Sequence, residues 1–568
     1  MVINMNDLWI LSPILLTIVT GVLLLGWSFR EQILSVKRTD GTKEGMAAAE
    51  AGETGETGKT GDTGAGETGL KLVHALAVGT LLAAGILTMW VAWSGDRSVT
   101  LFYLMKDIPV YFHIDEISRW FVTVVTAVWI PVGIYSTVYM RHEGEEKRFF
   151  GFYLLVYGVL VCLDFSGNLV TMYLFYEMMT LLSFPLVLHN GSREAIMAAL
   201  KYLFYSMCGA YMGLFGIFFL YRYCDSLTFI PGGALSQEAM STHGGILLLA
   251  LFLMLIGFGA KAGMFPLHAW LPTAHPVAPS PASAALSGII VKSGVLAIIR
   301  VVYYVVGADF LRGTWVQYTW MGLTLVTVFM GSLLAYREPV LKKRLAYSTV
   351  SQVSYILFGL AVLSPAGFTG ALLHVVFHAI VKCGLFLTAG IFLFCGNKTK
   401  VEELAGMGRK MPAVLWCYTL FALALIGIPP TSGFVSKWYL AQGALEANIG
   451  IWGYVGPGVL LVSALLTAGY LLPITMKGFF LGTTETCSTP ECVTDSVQDH
   501  DLASREKTSA PAKTNRQEKA GAATEIRRQE PVAAMLIPLV ILAALALGMG
   551  LLPEIFTKYA GSIAALVL

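Results

Sequence analysis

The sequence predicts an all-α polytopic membrane protein of about fourteen transmembrane helices, because apolar blocks of roughly 20 residues recur almost end to end. Two further observations agree. Of 568 residues, 56% are hydrophobic and only 13% charged, with a mean hydropathy of +0.68, whereas a soluble domain carries about 25% charged residues. Basic loops also alternate onto one side of the expected spans. The formal net charge of +2 is too small to point to a nucleic-acid partner.

The spans centre near Leu15, Ala83, Ala127, Tyr157, Leu174, Met207, Phe252, Ile290, Leu325, Ile356, Leu385, Leu420, Val462 and Ile541. The first, Leu8 to Trp27, exceeds a signal-peptide core, lacks a basic flank before it and meets Arg30 directly, so it reads as a retained span. The segments with Arg30/Lys37/Arg38, Arg141/Lys147/Arg148, Lys342/Lys343/Arg344 and Lys398/Lys400/Arg409/Lys410 fall on one side. The other side holds chiefly Arg97, Lys106, Arg222 and Arg312. By the positive-inside rule the basic side is cytoplasmic, which places both termini outside.

Two polar tracts interrupt this order. GETGETGKTGDTGAGETG (Gly52–Gly69) follows the first span. Its GETGKT stretch lacks the first glycine of a phosphate-binding loop and follows no buried strand, and without proline it is not collagen-like. It reads as a disordered acidic loop within about 39–70. Residues 484–531 read as a cytoplasmic linker rich in Lys, Arg, Glu, Ser and Thr, with room for a surface helix near Ala520–Gln529. The expected domains are therefore N-terminal helices over 1–112, two halves of a core over 113–310 and 311–483, the linker, and one spanning helix in 532–568.

Eight cysteines, Cys162, Cys208, Cys224, Cys383, Cys395, Cys417, Cys487 and Cys492, form no CxxC pair or four-ligand set, so no zinc or iron–sulfur site is expected. No nucleotide or haem motif occurs either, and no cofactor is expected.

Charges inside the spans carry the functional reading. Each costs about 2.5–3.5 kcal/mol even on the mildest scale, so each needs a reason. Glu177 lies in LVTMYLFYEMMTLLSFPLVL, Lys261 in LLLALFLMLIGFGAKAGMFPLHAWL and Lys292 in ASAALSGIIVKSGVLAII. His374, His378 and Lys382 recur at i, i+4 and i+8 in ALLHVVFHAIVKCGLFLTAGIF, which puts them on one helix face. Lys437 follows in ALIGIPPTSGFVSKWYLAQGAL. A lone lysine near a helix end can snorkel to the interface, and a lone histidine can bond a neighbouring helix. Three titratable groups in one stripe instead suggest a proton wire. A metal at His374 and His378 is disfavoured by the absence of nearby carboxylates and by Lys382.

Helix breakers accompany the lysines. Pro266 and Pro272 follow Lys261, and Pro429, Pro430 and Gly433 precede Lys437. Interrupted segments in both halves of a chain are a mark of repeated transporters, so the seventh and twelfth spans are expected to be broken.

FYEMMTLLSFPLV, KAGMFPLHAWLPTAHPVAPSPASAALSGIIVK, KKRLAYSTVSQVSY and HVVFHAIVKCGLFLTAG resemble the antiporter-like subunits shared by complex I, Mrp-type sodium/proton antiporters and membrane-bound hydrogenases. The resemblance runs from about Phe112 to Leu481. It implies two inverted five-helix repeats. Glu177 and Lys261 would form the coupling ion pair, Lys292 with His374, His378 and Lys382 the central relay, and Lys437 the exit lysine. Lys201 and Lys342 match accessory lysines. Three departures stand out: Val340 replaces a usual acidic residue, with Glu338 nearby; the chain ends soon after its last span, without a long lateral helix; and both polar tracts are atypical.

The resemblance further implies a proton-translocating subunit of a redox-driven complex, dehydrogenase- or hydrogenase-linked, in the cytoplasmic membrane of a prokaryote. Its partners would be other membrane subunits, H+ or Na+, and the lipid bilayer, and its redox chemistry would reside in those subunits. An Mrp-type antiporter without redox partners is the alternative. A scaffold without an ion path has no need of buried charges. A Glu–Lys pair near 4 Å is worth about 4 kcal/mol at an effective dielectric of 20. Lifting a charge through about 100 mV costs about 2.3 kcal/mol, so such a switch is of the right size.

Overall fold

A backbone immersed in hydrocarbon must satisfy its polar groups internally, and for apolar runs this long the helix does so. A computed structural model of the chain describes residues 8–49, 63–105, 108–224, 226–480 and 530–568. Its first half contains α1 (Ser12–Ala49), α2 (Thr63–Trp93), α3 (Glu116–Glu143), α4 (Glu146–Asp164), α5 (Leu169–Val187), α6 (Arg193–Tyr223), α7 (Gln237–Ala262), the short α8 (Leu271–Val277) and α9 (Ser280–Val306). Then come α10 (Trp315–Arg337), α11 (Leu341–Ala361), α12 (Pro365–Gly396), α13 (Pro412–Ile426), α14 (Ser432–Glu446), α15 (Trp452–Phe480), α16 (Ala533–Leu551) and α17 (Pro553–Val567).

Every expected centre falls in a helix, and eleven of these helices are long and apolar enough to cross a membrane. The count of fourteen is thus not reached by length and composition. The other three centres lie in α4, α11 and α13. α4 opens on Glu146, Lys147 and Arg148, α11 carries Lys342, Lys343 and Arg344 in its first turn, and α13 has only 15 residues.

Four features depart from the sequence reading. A two-stranded antiparallel hairpin, β1 (Ser98–Met105) and β2 (Ile108–His113), precedes α3; its β-branched and aromatic residues suit a strand. α1 runs to Ala49 and α2 begins at Thr63, where a disordered loop over 39–70 was expected. Met46 and Ala47–Ala49 are good helix formers, and the rest of that tract, 50–62, lies outside the described residues. The third departure is α17: the C-terminal segment holds a second helix after α16, restarted at Pro553, where proline is well placed at a first helical turn. Finally, α9 alternates α-helical turns with π-helical stretches at Leu286–Ile290 and Arg300–Val306. The expected linker lies outside the described residues except for Glu530 and Pro531.

The two expected breaks repeat one device. α7 ends at Gly263 (φ 80°) and α13 at Gly427 (φ 91°), a left-handed conformation that glycine adopts without penalty. A cis X–Pro bond follows each, at Phe265–Pro266 and Pro429–Pro430. Groups beyond each break then reach back to the helix end: Trp270 Nε1 donates to the Ala260 carbonyl (2.8 Å), and Lys437 Nζ to those of Leu425 (2.7 Å) and Ile426 (2.8 Å). At the second break Gly433 lies so close to the Ala424 carbonyl that an added Cβ would stand 1.8 Å away.

α9 and α12 are both enclosed by neighbouring helices. α9 is buried along its whole apolar window, and α12 from Gly367 to Phe392. α12 packs against α3, α9, α11, α13, α14, α16 and α17. α6 and α15, by contrast, present wide apolar faces such as Phe204, Phe218, Leu461 and Leu465.

Candidate proton path

Lysine side chains reach into the interior of this helix bundle. Lys261, Lys292 and Lys382 are at most 3% exposed, and Lys437 is part-buried. An ammonium buried in this way must find acceptors, and each has found different ones.

Lys261 closes α7 just before the break. Its Nζ donates to Thr180 Oγ1 (2.7 Å), Tyr202 OH (2.9 Å) and Ser206 Oγ (3.4 Å), and sits 4.8 Å above the Tyr202 ring. Glu177 lies one turn before Thr180 on α5, but no ion pair with Lys261 forms, and its buried Oε1 has no hydrogen-bond partner among the described residues. Glu177 and Lys261 thus do not make the direct ion pair expected of them. The hydroxyls of Thr180, Tyr202 and Ser206 occupy the ammonium, while the carboxylate stays near enough to act on it through space.

α9 runs close beside α7 at this level. A Cβ on Gly294 would stand 3.1 Å from that of Lys261 and 2.5 Å from the Phe258 carbonyl, so glycine permits the approach. Two residues earlier, Lys292 Nζ donates to the Ser287 carbonyl and meets His378 Nδ1, both at 2.7 Å. The rings of His378 and His374 stack with centroids 5.9 Å apart. His374 Nδ1 bonds Ser436 Oγ (2.9 Å), next to Lys437, and its ring stacks on Tyr355 at 5.6 Å. Lys437 Nζ lies 5.2 Å over that same Tyr355 ring. Lys292, His378, His374, Tyr355 and Lys437 thus form one series of contacts, buried up to the part-buried Lys437.

Lys382 leaves the stripe. Positions spaced by four drift about 40° around a 3.6-residue helix at each step, so His374 faces α14, His378 faces α9 and Lys382 faces α11, where Nζ donates to the Leu345 carbonyl (3.0 Å). Lys342 donates to the Ala278 carbonyl (3.0 Å) between α8 and α9, and Lys201 is half-buried on α6 without a hydrogen bond or ion pair among the described residues. Glu338, near the atypical Val340, pairs with Lys343 (2.8 Å).

Sequence reasoning missed several groups. His275 is fully buried with both ring nitrogens unpartnered, stacked on Phe386 at 4.7 Å. Arg300 is 1% exposed and ion-paired with Asp115, its Nη2 lying 2.8 Å from Oδ1 and 3.0 Å from Ser118 Oγ. Both carried a signal, a histidine in a broken segment and an arginine at the end of a span. Thr180, Tyr202 and Tyr355 carried none, since hydroxyls are common in spans. No group of three or more His, Cys, Asp or Glu able to hold a metal occurs among the described residues.

Known proteins share this architecture. The family model described as NADH:quinone oxidoreductase/Mrp antiporter, TM, matches residues 166–469, and that described as NADH-Ubiquinone oxidoreductase (complex I), chain 5 N-terminus, matches 105–150. NADH-quinone oxidoreductase subunit N of Desulforudis audaxviator is 35% identical over 65% of this chain and 72% of its own length. Hydrogenase-4 component B of Escherichia coli is 33% identical over 59% of this chain, which spans about half (51%) of that longer relative. A chain of the Mrp complex from Dietzia sp. superposes with a TM-score of 0.74 at 24% identity, covering 99% of this chain and 98% of its own. From the broken helices to these matches, the chain belongs to the NADH:quinone oxidoreductase/Mrp antiporter family of membrane subunits.

Proposed function

We propose that this chain is the proton-translocating subunit of a redox-driven membrane complex, dehydrogenase- or hydrogenase-linked, and that protons move along Lys261, Lys292, His378, His374 and Lys437. The observation that carries this reading is the 2.7 Å contact between Lys292 Nζ and His378 Nδ1, inside a series that continues to Lys437. Ammonium and imidazole can exchange one proton across such a contact without covalent chemistry. Glu177, whose Oε1 has no hydrogen-bond partner among the described residues, is the charge that biases Lys261, and Lys382, Lys342 and Lys201 are accessory carriers. The relatives named for NADH:quinone and hydrogenase chemistry support redox partners in other subunits. The cytoplasmic membrane of a prokaryote, with both termini outside, is the setting the basic loops favour.

The second reading, an Mrp-type antiporter subunit exchanging H+ for Na+, draws on the fold shared with the Mrp complex. Purifying the native assembly and identifying its subunits separates the two. Co-purifying dehydrogenase or hydrogenase subunits, with proton uptake into vesicles that depends on turnover, are expected. Small antiporter subunits and sodium-dependent proton movement without an electron donor would overturn the redox reading.

A further inference from the structure

Asp164 is the last residue of α4, 2% exposed, and its Oδ2 has no hydrogen-bond partner among the described residues. An uncompensated buried carboxylate is costly, and native proteins seldom keep one without a use. Arg300, a cation close enough to act on it, is already engaged by Asp115 and Ser118. Asp164 also lines a small cavity of about 10 Å³ with Phe121, Leu160, Ser293, Val375 and Lys292. That volume has room for a single water. On its other side Asp164 sits beneath the hairpin: the next residue, Phe165, accepts the backbone N–H of His113 at the end of β2 (2.8 Å).

We propose that Asp164 is a proton-carrying residue that links Lys292 to the hairpin face through one water in the cavity they share. The proposal rests on the proton-translocation reading above. Lys292 Nζ rotates from His378 toward the cavity and gives a proton to the water, which passes one of its own to the Asp164 carboxylate. A neutral amine and a neutral carboxylic acid result, with no change of electron count. Asp164 then returns to the carboxylate by giving that proton to a solvent water at the hairpin face, beyond Arg300 and Asp115. In this scheme Lys292 alternates between His378 and Asp164, which makes it the branch point of the path.

The test uses the native assembled complex in vesicles, comparing Asp164→Asn, Asp164→Glu and Val375→Ile, with Lys292→Ala as reference. Asn removes the acid, Glu keeps it, and isoleucine fills the cavity by one methylene while leaving the carboxylate intact. Turnover-linked proton pumping should fall at least about tenfold in Asp164→Asn, a conservative figure for loss of a positioned proton-transfer group. It should recover substantially in Asp164→Glu and slow in Val375→Ile. If Asp164→Asn does not assemble, Val375→Ile decides. Wild-type pumping in the assembled Asp164→Asn or Val375→Ile variants, alongside a defective Lys292→Ala, would overturn the role of Asp164 and leave the main reading intact. Wild-type pumping in Lys292→Ala would overturn both.

Discussion

Lys292 on α9 and His378 on α12 share a hydrogen bond of 2.7 Å between Nζ and Nδ1, within two helices that their neighbours enclose. An ammonium only donates. While Lys292 is charged, Nδ1 of His378 must therefore be the acceptor, with the ring proton on Nε2. Movement of one proton across the contact reverses both roles, and it leaves the far nitrogen of His378 free to pass a proton on.

This geometry predicts that Lys292→Ala and His378→Ala abolish turnover-linked proton pumping. Lys292→Ala also strands the Ser287 carbonyl, and losing a buried partner costs about 1–3 kcal/mol. Pumping in vesicles and thermal unfolding of the purified complex measure the two effects separately. Wild-type pumping in an assembled His378→Ala would remove the histidine from the path.

Arg300→Ala is expected to harm assembly more than transport. It leaves Asp115 beside the helix it caps without its buried cation, and breaking a buried pair from one side costs about 3–5 kcal/mol. Removing both partners, as Arg300→Met with Asp115→Ala, should be milder than either single change. Thermal stability in detergent checks this, and additive losses would show that the two do not act as a pair.

Lys437→Met should loosen the second break. The carbonyls of Leu425 and Ile426, now capped by Nζ, would lose their donor at a cost of about 1–3 kcal/mol. Limited proteolysis around 427–431 should accelerate, and pumping should fall. Lys437→Arg keeps the donors and the charge, so it should protect the segment better than Met. Equal proteolysis in both variants would argue that the ammonium has no holding role.

What could be read in advance follows the cost of each residue. A lysine in a span is expensive, so Lys261, Lys292 and Lys382 announced themselves, and the proline clusters marked both breaks. Partner choice did not, because it is set by packing between distant helices. Thr180, Tyr202 and Ser206 take Lys261 from Glu177, and the drift of α12 turns Lys382 toward Leu345 rather than along the stripe. The hairpin was hidden for a different reason: strands of eight and six residues vanish in a window tuned to about 20-residue helices. Asp164 ends α4 and Arg300 lies in the last two turns of α9, where a charge raises little alarm in hydropathy, although both are buried.

The last prediction concerns Glu177 and Lys261, which the fold places near each other without direct contact. A carboxylate with an unpartnered oxygen is held by nothing strong and can swing, while Lys261 stays tied to three hydroxyls. Glu177→Gln keeps the volume and removes the charge, so it should impair pumping far more than folding. Glu177→Asp keeps the charge on a shorter arm and should retain more activity than Gln. Tyr202→Phe removes one of Lys261's three acceptors but none of the charge, so its effect should be smaller than that of Glu177→Gln. Lys261→Ala should be the most severe, since it deletes the carrier itself, while Thr180 and Tyr202 keep their bonds to the Tyr176 carbonyl and to Ser183. Pumping measured at equal assembly ranks the four. If Glu177→Gln pumps like wild type while Tyr202→Phe does not, the hydroxyl cage rather than the carboxylate controls Lys261, and the coupling charge must be sought elsewhere in the complex.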